Sequence, residues 1–105
     1  MAATADADIK AIAQLDGRDV AALTEPMDVY ADDPVTTDDQ VAVYNHGERR
    51  IVTPHVPCCD CPDMIHRRPP GGCKHVRRVE YVLGERTIPA GVDRDALDDG
   101  LGVGR

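Results

Sequence analysis

Cys58-Cys59-Asp60-Cys61, followed after eleven residues by Cys73-Lys74-His75-Val76, holds every cysteine of this 105-residue chain. Thiolate sulfur and imidazole nitrogen are the donors that zinc prefers, and zinc closes on them tetrahedrally. Cys59, Cys61, Cys73 and His75 supply four such donors in the order Cys-x-Cys, then Cys-x-His. Four protein ligands leave no position for water, so the expected ion is one structural Zn2+ rather than a catalytic one. Cys58 adds an alternative, because with Cys61 it forms a Cys-x-x-Cys knuckle, the spacing of many other zinc sites.

The sequence on either side indicates how such a site would be held. Upstream, Val41-Ala42-Val43-Tyr44 and Arg50-Ile51-Val52-Thr53 are β-rich runs around Asn45-His46-Gly47-Glu48, which predicts an antiparallel hairpin. Met27 to Tyr30 alternates apolar and polar residues and is a candidate third strand. Pro62 to Gly72 carries three prolines and two glycines and reads as a loop. Helical periodicity returns at Cys73 and runs to Leu83, with Gly84 placed as the C-terminal cap. A helical wheel gathers His75, Val76, Val79, Val82 and Leu83 on one face and Lys74, Arg77, Arg78 and Tyr81 on the other. The expectation is an apolar packed face and an exposed basic one. Earlier in the chain, Asp8 to Leu15 offers a short helical run before Gly17, and Asp19 is placed to cap a second one that ends at Pro26.

A staple is also what the composition calls for. With no Phe, no Trp and three Tyr, a domain of this size buries little apolar surface. The chain opens without a basic segment followed by an apolar run, and no stretch is long enough to cross a membrane. The expected location is therefore cytoplasmic, where thiols stay reduced and favour metal over disulfides. Residues 1–39 carry a net charge of -8, residues 40–84 +3 and residues 85–105 -2. Fifteen of the nineteen acids are Asp and only Lys10 and Lys74 are lysines, a usage that resembles proteins of extremely halophilic archaea.

The pattern Cys59-x-Cys61 and Cys73-x-His75, with a hairpin before it and Cys73-Lys74-His75-Val76 opening a helix, resembles the SWIM-type zinc finger. Small stand-alone haloarchaeal proteins of that kind are similar also across Leu23 to Met27 and Gly84 to Arg86. The resemblance implies Cys59 rather than Cys58 as first ligand, an α+β class with a zinc-stabilised ββα fold, and a role in binding protein or DNA. The expected organisation is an acidic flexible tail over 1–17, the finger over 18–89 with its motif core at 41–83, and a flexible Gly/Asp-rich tail over 90–105. Arg67 and Arg68 on the loop and Lys74, Arg77 and Arg78 on the helix are the candidate contacts. The favoured partner is a protein and the alternative is a nucleic acid. No serine, no phosphate-binding glycine loop and no open metal position are found, so the chain is expected not to be an enzyme or to take a small-molecule substrate.

Overall fold

In the computed structural model, which describes residues 15–90 and 92–101, four antiparallel strands lie in the order β1-β2-β3-β4. These are β1 (Met27–Tyr30), β2 (Val41–Asn45), β3 (Glu48–Thr53) and β4 (Cys58–Cys59). Three α-helices accompany them among the described residues: α1 (Gly17–Thr24), α2 (Pro62–His66) and α3 (Lys74–Leu83). The chain is thus α+β, with the expected hairpin at its centre and the candidate third strand paired beside it. The short helical run from Asp8 lies outside the described residues except for Leu15.

The β2–β3 hairpin pairs Val41 with Val52 and Asn45 with Glu48, leaving His46 and Gly47 as a two-residue turn. Both have positive φ, 53° and 77°, as a type I′ turn requires, and Gly47 adopts it without steric cost. Alternation then fixes which side chains face inward. Val41, Val43 and Val52 join Met27, Val76 and Val79 in one core cluster, and Cys59, Cys61 and Cys73 extend it. β4, a strand the sequence did not signal, pairs Cys59 with Val52 and Cys58 with Thr53.

Three expectations are corrected. α1 begins one turn earlier than Asp19. Asp16 caps it by accepting hydrogen bonds from the Arg18 and Asp19 amides, both at 3.0 Å, and the Asp19 carboxylate accepts one from the Asp16 amide, completing a capping box. The segment after Cys61 is not all loop, since Pro62 occupies the first turn of α2, where a missing N–H costs nothing. Beyond Pro89, residues 92–101 fold back as two 3-10 turns, Arg94–Ala96 and Asp99–Leu101. Leu97 is buried there with Ala22, Leu23 and Tyr81 in a second cluster between α1 and α3.

That second cluster changes the reading of α3. Arg77 and Arg78 are 3% and 0% exposed, and Tyr81 is buried as well, whereas Val82 and Leu83 stand in solvent. The helix is covered on two sides, by the sheet on one and by α1 with the folded-back segment on the other. The expected exposed basic face is instead a second buried face lined by arginines. Arg78 donates to the carbonyls of Ala22 and Glu25 at 3.1 Å and of Met27 at 2.8 Å, and it ion-pairs with Asp98. It thereby satisfies carbonyls at the open C-terminal end of α1.

Candidate metal centre

Each ligand is placed by a different local device. Cys59 comes off the sheet edge, facing the core because its strand partner Val52 does. The chain then turns at Asp60, whose carboxylate accepts the Ile51 amide at 3.0 Å and pins the turn to β3. Cys61 is the N-cap residue of α2, and its carbonyl accepts the Ile65 amide at 3.0 Å. Cys73 is the N-cap residue of α3, and its carbonyl accepts the Arg77 amide at 3.0 Å. His75 follows in the first turn.

Before Cys73 the backbone is forced through Gly72, at φ 91°, where an added Cβ would stand 2.8 Å from the Val76 side chain. Only glycine fits, and the turn delivers Cys73 against Cys59. Arg77 braces the same turn, donating to the carbonyls of Gly72 and Pro70 at 2.9 Å while ion-pairing with Asp16 at 2.6 Å and Asp19 at 3.1 Å.

Cys59, Cys61, Cys73 and His75 are all buried, and one ligand atom from each lies within 4.8 Å of the other three. His75 presents Nδ1, 3.8 Å from the Cys59 sulfur and 3.7 Å from the Cys73 sulfur. This group can hold one metal ion. Cys58 is exposed and stands outside it.

The electrostatics of the bare cluster favour a cation. A hydrogen bond from Cys59, with others from His75 and the Val76 amide, holds the Cys73 thiol down at about 4 despite burial. That anion pushes the Cys59 thiol far up, with burial adding to it, and Cys61 is raised chiefly by burial. Three thiolates so close repel one another. A divalent cation removes that conflict and lets all three ionise.

Of the predicted partner-binding residues, Arg67 and Arg68 are exposed, just past α2. Arg67 stands 3.8 Å from Asp63. Lys74 is half-buried and paired with Glu25 at 2.6 Å, while Arg77 and Arg78 are internal. The basic helix face is therefore corrected: its cations are consumed by Asp16, Asp19, Glu25 and Asp98. A cleft of about 500 Å³ opens beside the cluster, with Cys61, Cys73 and His75 in its lining. The cations around it, Arg18, Arg50, Arg67 and Lys74, are each paired with a carboxylate. The Arg18–Asp63 pair, at 2.7 Å, ties α1 to α2 across the cleft and holds Asp63 below the usual carboxylate range.

His55 and His66 are exposed, and His46 lies 3.0 Å from Glu25. The sequence analysis missed Asp60, Arg18 and Asp63 as supports of the site. An Asp between two cysteines was the available signal for the first, whereas the Arg18–Asp63 pair had none. Comparison with family models, with curated proteins and with solved structures found no match. Among the described residues, no helix is long and apolar enough to cross a membrane.

Proposed function

We propose that the chain is a zinc-stapled interaction module of the SWIM finger kind, which engages a protein partner and performs no catalysis. The observation that carries this reading is the buried quartet of Cys59, Cys61, Cys73 and His75. A tetrahedron with bonds of about 2.3 Å to sulfur and about 2.0 Å to nitrogen has edges of roughly 3.5 to 3.8 Å. The spacings of 3.7 and 3.8 Å from His75 Nδ1 to two of the sulfurs are slightly longer than the nitrogen-to-sulfur edge of about 3.5 Å, within reach of a small side-chain adjustment. Three sulfurs and one nitrogen in a water-poor site are also the softer donor set that selects zinc over calcium or magnesium.

A zinc ion held by these four residues would fix β4, α2 and α3 relative to one another, and it would leave no position for a substrate. Its contribution is then shape. The protein-binding half of the reading is supported by the pairing pattern. A phosphate-binding helix face would need free cations, and those of α3 are buried or paired, while the elements around the cluster leave apolar side chains in solvent.

Native mass spectrometry of the purified chain should show one zinc per molecule. Because structural zinc supplies on the order of 10 kcal/mol or more of apparent binding free energy in small domains, chelation should collapse the circular dichroism spectrum. A chain that takes up no zinc, or keeps its spectrum after verified removal, would overturn the zinc reading. Cross-linking of the loaded protein in its native extract should recover a protein, and recovery of nucleic acid instead would overturn the choice of partner.

A further inference from the structure

Val56 and Ile65 are the most exposed of the large hydrophobic side chains among the described residues, at 67% and 57%. They lie far apart in sequence yet line one groove of about 460 Å³, together with Pro57, Cys58, Met64 and Arg68. Its walls are the β3–β4 connection and α2, the two segments whose ends carry Cys59 and Cys61. Exposed aliphatic side chains that converge on one concave surface mark an interaction site more than scattered ones do.

Arg68 gives the groove its chemistry. Its guanidinium has no ion-pair or hydrogen-bond partner among the described residues, whereas Arg18, Arg50, Arg67, Arg77, Arg78 and Arg86 are paired with carboxylates and Arg49 and Arg94 lie outside the groove. Its backbone is also unusual, with φ of 45°, and it precedes Pro69. The left-handed position after a helix is one that glycine fills most easily, and the position before proline is restricted further. An arginine there is costly for the fold, and the excess is explained if its charge is used.

We propose that this groove docks an acidic peptide segment of the partner protein, with an aliphatic side chain seated against Val56 and Ile65 and a carboxylate paired with Arg68. The assignment rests on the protein-binding reading above and adds the place and the chemistry. One free cation beside an apolar floor matches a carboxylate next to an aliphatic side chain. A nucleic acid would demand a row of cations that the groove lacks.

The test is selection of a random dodecapeptide display library on the zinc-loaded full chain. Enriched peptides should combine Leu, Ile or Val with Asp or Glu. Their affinity should fall at least about tenfold for Ile65→Asp and for Arg68→Gly and weaken with added salt. Arg68→Gly is the informative variant, because relief of the left-handed strain should leave it as stable as the parent or more so, which separates lost docking from lost folding. Zinc content and circular dichroism confirm that both variants are folded, and Val56→Asp replaces Ile65→Asp if that one is not.

Peptides that bind Ile65→Asp and Arg68→Gly as well as the parent overturn the groove while leaving a binding module. Failure to enrich any peptide on the folded protein counts against the module itself as well. Enriched peptides without acids, dimerisation that Ile65→Asp abolishes, or stronger protection of this groove by an oligonucleotide each replace the assigned occupant.

Discussion

Cys58 and Cys59 are neighbours on an extended strand, where successive side chains leave on opposite faces of the sheet. Pairing with Val52 puts Cys59 on the core side, so Cys58 is left in solvent whatever its chemical fitness as a ligand. Sequence spacing alone left Cys58-x-x-Cys61 open, because spacing counts residues and says nothing of the strand that decides their faces. β4 is only two residues long and carries no periodicity to detect. Cys59→Ser should weaken zinc binding about a hundredfold or more, since it removes one of four ligands, whereas Cys58→Ser should leave it unchanged. Competition with a chromophoric chelator measures both. A residue-scale argument also applies to Arg78, which is fully buried with Asp98 and three carbonyls around it. Arg78→Met should destabilise the loaded protein by about 3 kcal/mol or more, because it leaves a partly buried carboxylate and several acceptors unpaired. Loss of any binding in that variant would therefore report unfolding and not a lost contact, and only zinc-loaded, folded variants can be compared.

Among the elements, the hairpin and α3 were legible because each has a strong local signal: alternating β-branched residues around Gly47, and helical periodicity ended by Gly84. What could not be read was which faces of α3 are covered, since Arg77, Arg78 and Tyr81 look like a solvent face until α1 is placed against them. Tyr81 shows the consequence. Burial, and after it the Asp19 carboxylate, pushes its phenol up to about 12, and its hydroxyl donates to Asp19 at 3.2 Å. A phenol whose pKa is higher folded than unfolded favours the native state fully below about pH 10 and loses that contribution as pH rises through about 12. Tyrosinate absorbance should accordingly lose a late-titrating phenol in Tyr81→Phe, leaving Tyr44, which its hydrogen bond to Asp33 also raises, and alkaline unfolding of that variant should be less steep. The glycine turn before α3 is an element-scale device as well. Gly72→Ala forces a side chain into the left-handed region and against Val76, and should cost about 1 to 3 kcal/mol in thermal unfolding, with weaker zinc binding because Cys73 is displaced.

At the scale of the molecule, α3 joins an end built around the buried Cys and His cluster to an end held by arginines. The four ligands gather β4, α2 and the start of the helix. Arg77 and Arg78 gather α1, the start of β1 and the folded-back residues 92–101. The cluster end could be anticipated from Cys-x-Cys and Cys-x-His, since its chemistry is written in the ligands. The other end could not, because Gly- and Asp-rich sequence beyond Pro89 has the composition of a flexible tail, and only Leu97 and Asp98 meeting partners distant in sequence give it a place. Asp98 accepts from the Met27 amide and pairs with Arg78, while its own amide donates to the Leu23 carbonyl at 2.8 Å. A chain ending at Ala90 loses all of these and uncovers Leu23 and Tyr81. It should therefore unfold at lower urea with a loss of about 3 kcal/mol or more, from an unpaired buried arginine and a lost apolar contact. Asp98→Asn in the full chain keeps the Leu97 packing and should lose less. Because folding and metal binding are coupled, the truncated chain should also hold zinc more weakly although every ligand is intact. If truncation left both the urea midpoint and the zinc affinity unchanged, residues 92–101 would have no part in the fold and the two ends would be independent.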